Sequence, residues 1–218
     1  MKITKFPQSC LLIETNNKRI LIDPGNLKYK DEYFNIWKKA DIILITHKHQ
    51  DHCNNEILEK LNNNITIYSS NEVQEANRNL NIKLVKENDI INLDNIKIEV
   101  VKAIHGYQPL LKGAGEVHEN IGYIIDDGKT RLYTTSDTIC FKNDYKADIL
   151  CVPVTGHGLT MSAFEASLYA KEVGAILTIP VHMDNPIFPP NFEYIKEMFE
   201  KYDVEYEILE NGESIEVD

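Results

Sequence analysis

The sequence predicts a layered fold of mixed α and β structure, and three observations predict it. Apolar runs of strand length, rich in β-branched residues, recur along the chain, Ile42-Ile43-Leu44-Ile45 being the clearest. Some are joined by tight turns into hairpins, whereas others alternate with segments of helical character. The 218 residues, 43% apolar and 26% charged, suffice for one sizeable core. No repeat, low-complexity run or linker divides them, so a single domain over 1–218 is expected.

In chain order, 2–6, 10–14 and 19–22 read as three short strands. Asn16-Asn17 supplies the turn between the last two, and Asp23-Pro24-Gly25 ends the third. Asp23 is equally well a turn former or a carboxylate that orients a metal-bound histidine. Segment 31–39 is polar with Tyr33, Phe34 and Trp37 inserted, and reads as a short helix or loop. After strand 42–45 come a helix over 55–61, a strand over 65–68 and a helix over 71–79 capped by Asn71. Strands follow at 82–85 and 96–104, then an irregular stretch over 106–120. Loops of about this length within a compact domain are usually functional. Asp126-Asp127-Gly128 turns a hairpin of 121–125 with 131–135, and 149–154 is a further strand. Ser162 and Glu165 stand at capping-box spacing before a helix to 173. An apolar strand over 175–180, a helix from the cap Asn191 to 202, and strands at 204–209 and 214–217 complete the chain.

Composition narrows the function. Acidic residues outnumber basic ones 34 to 23, leaving a formal charge of −11. Two bound divalent ions would leave the surface acidic still, which argues against nucleic acid and for a small-molecule substrate. No run approaches the ~20 apolar residues of a membrane span, and residues 1–5 carry no signal-peptide core. The four cysteines, Cys10, Cys53, Cys140 and Cys151, form no C-x-x-C pair, which fits a reducing cytoplasm.

The chemistry concentrates in Thr46-His47-Lys48-His49-Gln50-Asp51-His52, directly after strand 42–45. Side chains two apart in an extended segment point the same way, so His47 and His49 can grip one ion together. Asp51 and His52 lie beyond the next bend and can face a second. Imidazole and carboxylate suit zinc, manganese or iron rather than calcium. A metal-free, histidine-rich surface loop is the plainer reading. The spacing H-x-H-x-D-H at the end of a hydrophobic strand favours the metal. Three other strands deliver His105, Asp137 and His182 to loops, and loops at the end of a layered sheet can converge.

With these residues in place, the chain resembles the metallo-β-lactamase superfamily. The likeness runs from Cys10-Leu11-Leu12-Ile13-Glu14 and Leu21-Ile22-Asp23-Pro24 to Ile179-Pro180-Val181-His182. Within that superfamily it is similar to small proteins of the ascorbate-6-phosphate lactonase-like type, through Asn120-Ile121-Gly122-Tyr123-Ile124-Ile125 and Pro153-Val154-Thr155. The resemblance implies a four-layer αββα sandwich of α+β class. It implies that His47, His49 and His105 hold a first ion and that Asp51, His52 and His182 hold a second, with Asp137 bridging. It implies two divalent ions, zinc foremost, with manganese or iron as alternatives. Ser136 departs from the glycine usual before the bridging aspartate, and Gln8 stands where this branch often has histidine.

Two ions sharing a water would lower its pKa and polarise a carbonyl or phosphoryl oxygen. By analogy, Asp51 would orient the nucleophile or take its proton. His118 and His157, the two histidines outside the ligand set, lie in glycine-rich loops and are candidates to protonate a leaving group or donate to an oxyanion. Their plainer reading is as solvated loop residues. Lys112 is a weaker candidate for an anionic substrate group. Cys53 and Cys140 adjoin the ligands, but the ligand set has no vacancy, so both should pack as small apolar residues. The expectation is a metal-dependent hydrolase acting on a small ester, lactone or phosphodiester. The alternatives are a di-iron oxidoreductase on the same cage, disfavoured by Lys48 and Gln50 where a carboxylate would be needed, and a non-catalytic metal-binding module.

Overall fold

The computed structural model describes residues 1–110 and 115–217. Strands β1 (Lys2–Lys5), β2 (Leu11–Thr15) and β3 (Lys18–Ile22) form a meander. Asn16 and Asn17 take φ of 47° and 61° in the β2–β3 turn, the conformation that two-residue hairpins require. Helix α1 (Asp31–Trp37) leads to β4 (Ile42–Leu44), and α2 (Asn55–Asn62) to β5 (Thr66–Ser69). Helix α3 (Asn71–Ala76) precedes β6 (Ile82–Leu84). Then come β7 (Ile90–Leu93), β8 (Ile96–Lys102), β9 (Ile121–Asp126), β10 (Arg131–Thr134) and β11 (Ile149–Pro153). Helix α4 (Ala163–Val173), β12 (Leu177–Val181), α5 (Phe192–Lys201) and β13 (Ser214–Glu216) end the fold.

Two sheets result, ordered β13-β1-β2-β3-β4-β5-β6 and β12-β11-β10-β9-β8-β7. Their facing sides share one apolar core: Leu11, Ile13, Ile20 and Ile22 meet Ile98, Tyr123, Ile125 and Ile149. The alternate residues of the same strands point outward, as the pleat demands. Leu12, Leu21 and Ile43 pack against Tyr33, Trp37 and Leu58 of the helices on the first sheet. Ile124, Tyr133 and Leu150 pack against Ala166, Tyr169 and Phe199 of α4 and α5 on the second. These layers are the αββα sandwich that the resemblance implied.

Strand direction places the site. β8 and β10 each pair antiparallel with β9 and so run the same way, and β11 and β12 pair parallel after β10. The residues following β8, β10 and β12 therefore leave one edge of the second sheet together.

Three expectations need correction. β7 is an additional strand, short and outermost, whose side chains are mostly exposed, so it carries little apolar signal. Helix α3 stops at Ala76, and Ser70 rather than Asn71 precedes its first turn. The Asn77 side chain donates to the Val73 carbonyl, which ends the helix locally. Segment 204–209 forms only a bridge between Tyr206 and Thr178. Thr178 donates to the Glu205 carbonyl, but the next N–H on that side of β12 would belong to Pro180, which has none. No helix among the described residues is long and apolar enough to cross a membrane.

Candidate metal centre

The site is assembled at the ends of β4, β8, β10 and β12. Asp23, just past β3, is its buried anchor. It accepts from the Thr46 N–H (2.8 Å), the Thr46 hydroxyl (2.7 Å) and His52 Nδ1 (2.8 Å). These bonds fix the loop after β4 and resolve the sequence-level ambiguity: Asp23 orients a histidine while shaping the turn at φ 47°. Gly25 lets this turn pass directly over residue 51, because a Cβ there would collide with the Asp51 carbonyl.

Seven side chains converge. Three groups of potential ligand atoms lie within 4.8 Å of one another: His47, His49 and His105; His47, His52 and Asp137; and Asp51, His52 and His182. Asp137 Oδ2 is 2.8 Å from His182 Nε2, 3.2 Å from His52 Nε2 and 3.9 Å from His105 Nε2. It is thus central to both ends of the cluster.

Whether these residues fit a metal is decided by their outer hydrogen bonds. His49 Nε2 donates to the Gly115 carbonyl (2.8 Å) and His105 Nδ1 to the Gly106 carbonyl (2.7 Å). His52 Nδ1 donates to Asp23, and His182 Nδ1 lies 3.1 Å from the Thr155 hydroxyl, whose proton goes to the His182 carbonyl. Around His47 Nδ1 stand the Thr46 and Ser136 hydroxyls, at 3.1 and 3.4 Å, whose protons serve Asp23 and Asn120. Every outer ring nitrogen is therefore a donor, and every inner one turns a lone pair to the cluster. His47 Nε2 and His49 Nδ1 face each other at 3.2 Å with both lone pairs inward. His52 Nε2 is buried with no aligned hydrogen-bond partner among the described residues. Converging imidazole lone pairs next to a carboxylate are a donor set for a divalent cation.

Burial pushes His47 well below the ordinary imidazole value, and it lowers His105 too. Burial also works against charge on His52 and His182, but Asp137 and Asp51 outweigh it and raise both. For Asp137 itself, burial is outweighed by His182 and His52, which hold its carboxyl well below the usual range. These carboxylates draw positive charge into a buried place. Without an ion, protons take that place at His52 and His182, and a cation binding there would displace them.

The cluster opens into a cavity of about 720 Å³ whose lining includes His49, Asp51, His105, Asp137 and His182, with Leu159, Ile187 and Phe188 as apolar wall. His157 lies in that wall, its ring 4.0 Å from Phe188 and 6.3 Å from His182, centroid to centroid. Neither of its ring nitrogens has a partner among the described residues. His118 is elsewhere: its side chain is 69% exposed, beside Glu116, and it lines a neighbouring groove with Ser70 and Lys102. The structure brings His157 to the cluster and leaves His118 outside it. Lys112 lies outside the described residues. Cys53 is buried as expected, whereas Cys140 is exposed. The chain turns outward after Thr138, whose hydroxyl is spent on Ile104, and Cys140 finds no core to enter.

Several contributors carry no local signal. Thr46 and Thr155 offer nothing beyond adjacency to the motif. Glu72, on α3, accepts from Lys48 Nζ (2.6 Å) and from the N–H groups of His118 (3.0 Å) and Glu119 (2.9 Å), binding the wall of the neighbouring groove to the ligand loop. Gln8, Asp23, Ser136, His157 and His182 all take left-handed φ between 47° and 62°, a concentration of backbone strain around the candidate ligands.

Comparison with known proteins bears on family and fold. A family model described as the beta-lactamase superfamily domain matches residues 2–182. A UPF0173 metal-dependent hydrolase of Nanoarchaeum equitans is 28% identical over 225 residues, covering 100% of both chains. One of Korarchaeum cryptofilum is 28% identical over 237 residues, again with 100% of both. Among solved structures, a metallo hydrolase from Ignicoccus hospitalis superposes with a TM-score of 0.80 at 24% identity, covering 100% of this chain and 99% of that one. An isothiocyanate hydrolase from Delia radicum gut bacteria gives 0.77 at 17% identity, covering 100% and 99%. At those identities the structural likenesses speak to the fold.

Proposed function

The chain belongs to the beta-lactamase superfamily, and from that premise we propose that it is a metal-dependent hydrolase with a binuclear site acting on a small ester, lactone or phosphodiester. One observation carries the reading: five histidines each have the outer nitrogen tied down and the inner nitrogen turned into one cluster that also holds Asp51 and Asp137. His47, His49 and His105 would hold one divalent ion, and Asp51, His52 and His182 another, with Asp137 between them. Zinc suits this donor set best, with manganese or iron as alternatives. When bound, such ions supply Lewis acidity, easing the deprotonation of water and stabilising charge that develops on the substrate.

The chain's own residues do the rest. Asp51 is the ligand-set carboxylate most open to the cavity, 27% exposed against 5% for Asp137. Burial would raise its pKa, but His52 and His182 outweigh that and keep it low, so it stays an acceptor that can orient a water or relay its proton. His157, kept mainly neutral by burial, lines the cavity with both ring nitrogens buried and unpaired among the described residues, so a turn of its ring would let it bond a substrate oxygen or pass a proton to a leaving group. Phe188, Ile187 and Leu159 offer an apolar surface and reduce access of bulk water.

Elemental analysis of the purified protein, followed by a panel of small esters, lactones and phosphodiesters, tests this. The expected result is about two zinc or manganese ions per chain and turnover of one substrate class. Asp51→Asn and His157→Ala should each lower kcat by roughly 10²–10⁴-fold, the usual weight of a general acid or base. Absence of metal after reconstitution, or two irons with no hydrolysis of any panel member, would overturn it.

A further inference from the structure

The turn that follows β12 borders the cavity and carries side chains that the core does not use. Asn185, three residues past His182, accepts from the Ile187 N–H through its side chain (2.9 Å) and from the Phe188 N–H through its carbonyl (3.2 Å). Pro186, Pro189 and Pro190 stiffen the same stretch by fixing their own φ. So held, the turn presents Ile187 at 76% exposure and lays the Phe188 ring on that of His157, 4.0 Å apart at 31°. Leu27 and Leu159 add to the apolar lining. None of these four side chains is a member of the three apolar clusters that form the core among the described residues. Packing therefore gives no reason for isoleucine and phenylalanine here, and an apolar wall left open beside a cluster of potential ligands marks a binding surface.

The polar side chains of the lining are already engaged. Lys48, the one lysine or arginine lining the cavity among the described residues, gives its ammonium to Glu72 at 2.6 Å. Asn26 donates to Gln50 (3.2 Å), and the Asn185 oxygen serves its own turn. Beyond the candidate ligands and His157, a substrate meets mainly hydrocarbon. A second anionic group on it would lie against that hydrocarbon unpaired, in a chain of net charge −11. An uncharged apolar group would leave water and gain contact. In an ester or lactone such a group is attached to the attacked carbonyl carbon, so it begins beside the ligands, where His157 and Phe188 stand.

We propose that the substrate is an ester or lactone of an apolar acid, whose uncharged acyl arm lies along Ile187, Phe188 and Leu159 while its carbonyl meets the cluster. This rests on reading the site as that of a metal-dependent hydrolase. Ile187 and Phe188 set specificity for the arm, and because their turn continues the strand that delivers His182, wall and cluster keep one spacing.

The test is calorimetric titration of the zinc-loaded protein with straight-chain carboxylates from acetate to octanoate, the acids that such substrates would release. Affinity should rise about twofold for each added methylene, short of the roughly fourfold of full burial because the wall is one-sided. Ile187→Ser, at an exposed position that leaves the core untouched, and Phe188→Ser should each lower the ratio of octanoate to acetate affinity by at least about threefold. A flat series in the wild type, or a rise unaltered in both folded variants, would overturn the arm while leaving the hydrolase standing. Dicarboxylates that bind more tightly than monocarboxylates of equal length would overturn its lack of charge, and turnover confined to phosphodiesters would overturn the acyl assignment. A protein that takes up no zinc would overturn the hydrolase reading, and the inference with it.

Discussion

Asp23 serves three donors with one carboxylate, and each belongs to the loop that carries the ligands. Asp23→Ala leaves the Thr46 N–H and His52 Nδ1 without an acceptor and frees the His52 ring to take the wrong tautomer. Zinc affinity measured by competition with a chelating dye should fall by about 10–100-fold. Glu72 works on the opposite side of that loop. Burial would raise its carboxyl pKa, but bonds from Lys48, Glu119 and His118 outweigh that and hold it below the usual carboxylate range. Its contribution is thus complete above roughly pH 5 and is lost as pH falls through the folded-state value. Glu72→Gln should cost roughly 1 kcal/mol at pH 7, and the gap between variant and wild type in thermal melts should close as pH falls below the ordinary carboxylate range. At this scale the sequence was partly legible. The seven candidate ligands announce themselves by residue type and spacing, and the structure brings them together. Glu72 does not, because nothing local in Asn71-Glu72-Val73 reveals that Lys48 lies 2.6 Å away.

Among the elements, α4 shows how a short signal fixes a boundary. Ser162 accepts from the Glu165 N–H at 3.3 Å and the Glu165 carboxylate accepts from the Ser162 N–H at 2.8 Å, completing the capping box. At the other end Gly174 takes φ 78° to close the last turn. Ser162→Ala should destabilise the protein by about 1 kcal/mol, read as a lowered urea midpoint with unchanged slope. Such caps, and the strand runs before each ligand, were readable because the determinants lie within a few residues of one another. The misreadings share the opposite cause. The alternation in Val204-Glu205-Tyr206-Glu207-Ile208 is a good strand pattern, but its partner offers Pro180 where a donor is needed. β7 exists because β8 gives it an edge to pair with, not because its own residues demand burial. A one-dimensional pattern holds no record of what its neighbour can offer.

For the whole molecule, the central fact is how the ligands are divided. His47, His49, Asp51 and His52 follow β4 of one sheet, and His105, Asp137 and His182 follow strands of the other. An ion bound at the centre ties both sheets and stabilises only the docked state. With free ion at about 1,000 times its dissociation constant, the gain is roughly 4 kcal/mol. Stripping the metal with a chelator should therefore lower the melting temperature by roughly 8–16 °C for a chain of this size, and returning zinc should restore it. The layered class was foreseeable from strands that sometimes form hairpins and sometimes alternate with helices. The sheet order was not, since nothing in the residues of β13 says that it pairs with β1, more than two hundred residues earlier (Lys2 with Glu216).

The same division has a meaning for the chain while it is being made. A ribosome that has emitted only β1 to β6 has released four of the candidate ligands with nothing to complete their geometry. On the proposed reading, such a half-made product would hold an ion only loosely, since each three-ligand group draws one member from the second sheet. If the cluster holds metal as proposed, tight retention would wait for Asp137 and His182, and secure uptake would come late, once synthesis has run past the last histidine.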